Sequence, residues 1–283
     1  MVYIRAKTIQ SEKYLYLVKS VWDSKKNTSR QQTIKYLGKA SLVVSDDIPV
    51  DYRNDSKILS ALSKYAPDDI EKRNTASEKT GQKLYKKIIE GDIQGSSNIF
   101  EEYVKIFKTV DFFDKILKPV MSKVGSDWES GKISVGTEHV ASNIAQTLVK
   151  GILEQVNVRI KKKKILICVP VGEEHHLGCD VLETYLSMNG FKVFNLGTSI
   201  PTESILDFIE QNNPDLVLLS ITIDDNLKSG QRLVRKISKE SNVPILVGGL
   251  AVQGKNTPKF DGEIIGDLSL NDIKKKIGRE ING

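Results

Sequence analysis

Four stretches of uninterrupted apolar sequence constrain this chain most: ILICVPV (165–171), FKVFNLG (191–197), DLVLLSIT (215–222) and VPILVGG (243–249). Each has strand length and little polar alternation, the pattern of a strand covered on both faces. Between them lie segments with helical periodicity, 178–189, 202–212 and 227–241. Strand and helix in alternation predict parallel strands joined by crossover helices, hence a Rossmann-like (flavodoxin-like), doubly wound parallel sheet. A weak fifth strand, Glu263–Ile265, and a last helix near Asn271–Gly278 complete it. Ligands of such sheets bind beyond the carboxyl ends of the strands, so the loops after these runs are where a site is expected.

Upstream the apolar period is that of a helix. Leu84, Ile88 and Ile89 mark one stripe, and Phe100, Val104 and Phe107 a second after a break at GSSN (95–98). Phe112, Ile116, Leu117, Val120 and Val124 mark a third, which Pro119 is expected to kink or interrupt. Val140, Ile144, Leu148 and Ile152 mark the fourth. Four amphipathic helices with short connections predict a four-helix bundle over 81–158, with the α/β domain over 159–283.

Residues 1–66 read as a small β-rich head. Val2–Ile9, Tyr14–Trp22 and Gln32–Leu37 predict a three-stranded antiparallel meander, closed by Gly38. So small a sheet needs a helix against it. Ser56–Tyr65 supplies one, with Ile58, Leu59 and Leu62 on one face, Ser56 as N-cap and Pro67 as the stop. The polar residues 67–80 read as a linker. The fold class expected is multidomain, α+β and α/β.

At 39% hydrophobic and 28% charged, the composition is that of an ordinary globular protein. It has no apolar run of membrane-spanning length. The first residues lack a basic-then-apolar signal pattern, and two cysteines, Cys168 and Cys179, are too few for a disulfide framework. The expectation is a cytoplasmic protein with both thiols buried as small hydrophobes. The net charge of +6 is uneven: residues 1–40 hold nine Lys/Arg against Glu12 and Asp23, a net of +7, which leaves −1 for the rest. All three histidines, His139, His175 and His176, lie outside that basic segment.

The loop after the first apolar run reads Gly172-Glu173-Glu174-His175-His176-Leu177-Gly178. A histidine there can ligate a metal, and an acid two residues earlier can accept a hydrogen bond from its second ring nitrogen, which fixes the tautomer and raises ligand basicity. Gly178 lets the backbone pass close to a bulky group. Taken alone, the same residues also describe a solvated polar loop at a helix start. Glu173-x-His175-x-x-Gly178, however, resembles the [D/E]-x-H-x-x-G motif of cobalamin-binding domains. That family also carries S-x-[L/T] at the end of the third strand and Gly-Gly after the fourth; Ser220-Ile221-Thr222 and Gly248-Gly249 stand at those places. The resemblance implies that His175 displaces the cofactor's dimethylbenzimidazole and ligates cobalt from below, with Glu173 orienting it. It further implies that Ser220, Thr222, Gly248 and Gly249 line the slot for the displaced nucleotide tail. His176 receives no role and reads as a bystander.

The bundle resembles the helical cap that precedes many cobalamin domains. Its segment from Trp128 to Glu138-His139 has the W-x9-E-H spacing of adenosylcobalamin photoreceptor repressors. By that resemblance an indole shields the upper face of the corrin and packs on an adenosyl group. A carboxylate accepts hydrogen bonds from ribose or adenine. In those photoreceptors a histidine follows the tryptophan and captures cobalt after photolysis; here the position is Glu129, which puts that photoproduct in doubt.

The head does not resemble the winged helix of that family. Its 14–39 stretch is weakly similar to the N-terminal segment of some transposases, a pointer toward DNA. A basic β-ribbon can enter a major groove with Arg and Lys on phosphates. Candidates are Arg5, Lys7, Lys19, Lys25, Lys26, Arg30 and Lys35, with Gln32 beside them. Tyr14, Tyr16 and Trp22 either pack the sheet or stack on bases; RNA and other acidic partners remain alternatives. The basic run Arg159–Lys164 reads as a solvated linker face.

These readings converge on a cobalamin-binding sensor and transcriptional regulator, light-responsive through adenosylcobalamin in the manner of the family it resembles. It is expected to be a homo-oligomer, not an enzyme, and without a membrane partner. The alternative is a corrinoid carrier that shuttles a methyl group between methyltransferases, with methylcobalamin as the cofactor form.

Overall fold

The computed structural model describes residues 2–10, 12–23, 28–40, 43, 47–53, 55–65, 67–105, 107–158, 163–254 and 257–282. The chain divides into two compact units, Met1–Lys79 and Thr80–Gly283.

In the first unit, β1 (Val2–Ile9), β2 (Glu12–Asp23) and β3 (Thr28–Lys39) form the expected antiparallel meander in the order β1-β2-β3. After a short α1 (Val50–Arg53), helix α2 (Ser56–Tyr65) packs Ile58 and Leu62 against Ile4, Leu15, Leu17 and Leu37. Two expectations need correction. Leu59 is exposed rather than part of that face. The cap of α2 is Asp55, whose Oδ1 accepts from the backbone N–H of Lys57 (2.9 Å) and Ile58 (3.3 Å); the acid one residue earlier reaches the donors that Ser56 was expected to satisfy. Between β2 and β3 the register slips at Leu15/Tyr16 and at Leu17/Val18. Each slip leaves one extra residue on β3, and such bulges let a strand serve both a packed and an open face.

Residues 67–80, expected as a polar linker, are helical and form the first part of α3 (Pro67–Ile89). A proline is tolerated in a first turn, where its missing N–H has no partner to lose. In the second unit α3 ends at Ile89, two residues before Gly91, at φ +75°. Asp92 then caps α4 (Ile93–Val104) by accepting from Gly95 N–H at 2.7 Å. The break therefore falls at 90–92, and GSSN lies inside α4, with Ser96 fully buried and donating to Asp92 O. Burial of a small side chain overrides its weak helix propensity. The third stripe is α5 (Thr109–Phe112), a π-helical turn Phe113–Leu117 and α6 (Lys118–Glu129), with no break at Pro119, which sits in the first turn of α6. The π turn just before it takes up the mismatch. Helix α7 (Val135–Glu154) buries Ala141, Ala145, Leu148, Val149 and Ile152; Val140, expected on this stripe, is exposed.

The parallel sheet follows: β4 (Lys164–Cys168), α8 (Leu177–Met188), β5 (Lys192–Asn195), α9 (Thr202–Asn212), β6 (Leu216–Ser220), α10 (Leu227–Glu240), β7 (Ile245–Gly248), β8 (Glu263–Ile264) and α11 (Leu270–Asn282). All neighbouring strands run parallel in the order β5-β4-β6-β7-β8. Side chains alternate between two cores. Leu166, Cys168, Val217 and Leu219 face α9 and α10, while Ile165, Ile167, Leu216 and Leu218 face α8 and α11. The second of these cores is continuous with the bundle interior, including Phe112, Val124 and Leu148. Cap and sheet thus share one hydrophobic interior, pinned at its edge by Asp114, which accepts from Leu270 N–H at 3.2 Å, and by the Lys118–Asp267 ion pair.

Candidate functional site

The strand order reverses between β4 and β6, so the loops leaving these neighbours, 169–176 and 221–226, flank the crevice where an α/β sheet takes its ligand. Glu173 ties the two loops together and is completely buried. Its Oε2 accepts from the N–H groups of Thr222 (2.9 Å) and Ile223 (3.0 Å) and from Asn226 Nδ2 (3.1 Å). Its Oε1 accepts from His175 N–H (3.1 Å) and His175 Nδ1 (2.9 Å). Burial pushes the Glu173 carboxyl up, but the donors from His175, Ile223, Thr222 and Asn226 outweigh it and bring the pKa down to about 2. Glu173 is therefore a carboxylate at neutral pH, and it can only accept.

That settles the chemistry of His175. Nδ1 carries the proton, and Nε2 offers its lone pair from a ring about half exposed. The hydrogen bond to Glu173 raises the proton affinity of the imidazole, burial opposes this, and the charge of Glu138 adds to it. An oriented, electron-rich imidazole with one free nitrogen is a donor that suits cobalt. The glycines fit a bulky group unequally. A Cβ on Gly178 would meet nothing within 4 Å, so its bare backbone leaves open space. A Cβ on Gly249, at φ +108°, would fall 2.0 Å from Ile221 O, and one on Gly248 would fall 3.1 Å from Ile265. The Gly248-Gly249 turn is thereby held hard against the Ser220-Ile221-Thr222 segment. The Ser220 hydroxyl meets the thiol of Cys179, whose proton burial makes harder to lose; both cysteines are buried and free.

On the cap side, Ser134 caps α7, accepting from Thr137 N–H at 3.1 Å, and Glu138 lies in the first turn. Glu138 Oε1 accepts from Ser142 Oγ at 2.6 Å, and its Oε2 lies 3.7 Å from His139 Nδ1. The His139 side chain is 74% exposed and Trp128 45% exposed. Neither is packed in the bundle core. His176, at the start of α8, approaches Glu174 O with Nδ1 (3.2 Å) and Asp180 Oδ2 with Nε2 (3.6 Å).

Sequence reasoning missed three parts of this arrangement. Asn226 and the 222–223 amides were invisible because they reach Glu173 from some fifty residues away. The exposed Val171, Ile223 and Leu250 stand on the loops after the adjacent strands β4, β6 and β7; an apolar residue just past a strand end is the available signal. The Asp180–Asn195 contact (2.9 Å) was the third. In the head, Arg5 and Lys7 share one sheet face, while Lys19, Arg30 and Lys35 belong to the other by register. Lys25 and Lys26, like most of the 159–164 run, lie outside the described residues.

A helical cap beside a doubly wound sheet, with a carboxylate-oriented imidazole at the switch point, defines a cobalamin-binding protein. Residues 163–267 match a family model described as B12 binding domain, and residues 81–151 match a second of the same description. Through these two domains the chain belongs to the B12-binding family. It is 26% identical over 159 residues to the HTH-type transcriptional repressor CarH of Myxococcus xanthus, a match covering 56% of this chain and 53% of that protein. The alignment thus spans about half the length of that relative. It is 24% identical over 181 residues to the trimethylamine corrinoid protein of Methanosarcina barkeri, covering 61% of this chain and 82% of that one. The solved monomethylamine corrinoid protein of Methanosarcina barkeri shares the fold at a TM-score of 0.58 and 19% identity, over 70% of this chain and 97% of that chain. No helix among the described residues is long and apolar enough to cross a membrane.

Proposed function

We propose that this chain is a cobalamin sensor that regulates transcription, with adenosylcobalamin held between cap and sheet and DNA as the target of the basic head. The observation that carries the cofactor assignment is the buried Glu173 accepting from His175 Nδ1 at 2.9 Å, which leaves Nε2 free. In this reading His175 holds cobalt from below. Gly178, Ser220, Thr222, Gly248 and Gly249 line the channel for the nucleotide tail, and Val171, Ile223 and Leu250 keep water from the lower face. Trp128 shields the upper face, and Glu138 and His139 accept or donate hydrogen bonds to an adenosyl group. The bound cofactor supplies a light-labile cobalt–carbon bond. Glu129 follows Trp128, so no second imidazole is used at that position. A homo-oligomer whose assembly depends on the cofactor is part of the same reading; it requires that the cofactor bind two arrangements of the protein with different affinity. Support for a regulator comes from the exposed Trp128, the charged head and the similarity to a transcriptional repressor.

The second reading, a corrinoid carrier partnering methyltransferases, is favoured by one observation: the chain spans most of the trimethylamine corrinoid protein at similar identity. It needs neither the head nor Trp128. Two measurements separate the readings. Wild-type protein titrated with adenosylcobalamin should give the absorbance of the form with histidine in place of the cofactor's base, and His175→Ala should lose it; retention refutes the ligand assignment. A gel shift with genomic DNA fragments should respond to the cofactor and to illumination. Absence of any shift, with cobalamin still bound, favours the carrier.

A further inference from the structure

The two sides of the head sheet are packed unequally: α2 covers one, while on the other Val18 is the one buried residue among the described strand positions. Leu15 and Leu17 face α2, so the alternate residues of β2, Tyr14, Tyr16 and Trp22, belong to the opposite side. By register Lys7 stands opposite Tyr14, Arg5 opposite Tyr16, and Tyr36 of β3 opposite Tyr16 on the other flank. The tyrosine rings meet: Tyr16 and Tyr36 lie 5.1 Å apart between centroids, and Tyr14 and Tyr36 lie 6.4 Å apart at 28°. The group is not a covered core. Tyr36 is 53% exposed, Trp22 is 63% exposed, and Arg5 and Lys7 are exposed beside them. Gln31 bridges Arg5 and Tyr3, accepting from the guanidinium and donating to the phenol at 2.7 Å. The acid on this face, Glu12, is already paired with Lys39.

Rings, a guanidinium, an ammonium and an amide on an open sheet constrain the occupant. A second copy would set Arg5 and Lys7 against their own like charges, with no free carboxylate on the described face to meet them. A polyanion suits the charge. The exposed rings of Tyr36 and Trp22 need partners with open π-faces, and a duplex hides the faces of its bases in the stack, whereas a single strand offers them. We propose that this face, Arg5, Lys7, Tyr14, Tyr16, Trp22 and Tyr36, is a stacking platform for single-stranded nucleic acid. The proposal rests on the head being the nucleic-acid-binding part of the protein, and it divides the basic residues by role. Arg5 and Lys7 contact the strand's phosphates, while Lys19, Arg30 and Lys35, on the reverse side, do not touch it.

The test is fluorescence anisotropy of the full-length protein with labelled oligo-dT, oligo-rU and a mixed-sequence duplex, at several salt concentrations. Wild type should bind oligo-dT or oligo-rU more tightly than duplex. Tyr36→Ala and Trp22→Ala should each weaken single-strand binding about tenfold with an unchanged slope against log salt. Arg5→Ala should lower that slope by about 0.7, and Arg30→Ala should leave single-strand affinity as it was. Circular dichroism guards against misfolding of the Tyr36 variant, and Trp22, at the exposed end of the hairpin, provides the second probe. If both ring variants bind oligo-dT and oligo-rU like wild type while duplex binding persists, the platform is refuted and the head's role in DNA binding stands. If no nucleic acid binds, both fall. A change of oligomeric mass in Tyr36→Ala without nucleic-acid binding would assign the face to a second copy and overturn the proposal.

Discussion

Gly178 and Gly249 both belong to the motif that resembles the cobalamin family, yet their surroundings differ, and that difference can be measured. Gly249 has a left-handed φ and no room for a methyl group beside Ile221 O. Gly249→Ala should therefore cost about 3 kcal/mol of stability, seen as a lower urea midpoint without cofactor. Gly178 sits in the first turn of α8 facing open space. Gly178→Ala should leave the midpoint within about 0.5 kcal/mol and still reduce cobalamin affinity at least tenfold in an absorbance titration. If the alanine at 178 binds cobalamin normally, the open space there is not part of the channel. At the same scale, Glu173 and His175 were legible in the sequence because they are two residues apart and their chemistry is local. Asn226 was not, because nothing in an isolated asparagine announces a carboxylate on another loop.

The elements themselves were legible where apolar period and length agreed. The four continuous runs became β4 to β7, and all four apolar stripes became helices, with Phe107 past the end of α4 and Val140 exposed on α7, because burial on both faces, or on one stripe, leaves few alternatives. Reading failed where small or polar residues were taken at face value. GSSN lies within α4 because Asp92 caps the helix three residues before Gly95, and 67–80 is helical despite its polarity. Val140 satisfies the period but lies beyond the packed part of α7. The cap also holds a polar knot that no pattern indicated. Buried Asp127 of α6 accepts from Tyr85 of α3 (2.7 Å), from Lys123 and from Lys132 (3.1 Å). Hydrogen bonds from Lys123, Tyr85 and Lys132 hold its carboxyl well below the ordinary value of 3.8. A depressed acid contributes stability that is complete above the unfolded pKa and lost as pH falls through the folded one. Melting temperature should therefore fall more steeply below pH 3.8 in wild type than in Asp127→Asn, with the variant less stable at pH 7 and the two converging in strong acid. Parallel melting curves would show that the knot contributes nothing.

For the molecule as a whole, the division at 79/80 separates the charged part from the cofactor part. The second unit contains every residue assigned to cobalamin and both family matches. A fragment of residues 80–283 should fold cooperatively and bind cobalamin with an affinity within about twofold of the full chain, by absorbance titration, while losing nucleic-acid binding. Loss of cobalamin binding in a folded fragment would mean that the head helps to form the site. The sequence reveals this division through the polar 67–80 stretch between the β-rich head and the helical stripes, whereas the +7 charge stops at residue 40 and marks the head alone.

Helix α7 carries Glu138 at the mouth of the cleft and Ile152 in the interior that cap and sheet share. A helix rises about 1.5 Å per residue, so these two positions lie roughly 10 Å on either side of Ala145, which is fully buried. The helix is then a lever with its fulcrum in the core. A ligand that lifts the Glu138 end by about 1 Å tilts the rod by about 6° and drives the far end the opposite way by a similar amount. A close-packed interior has no slack to absorb such a tilt, so with Ala145 and Ile152 both buried the helix is held as one rigid rod along its packed length.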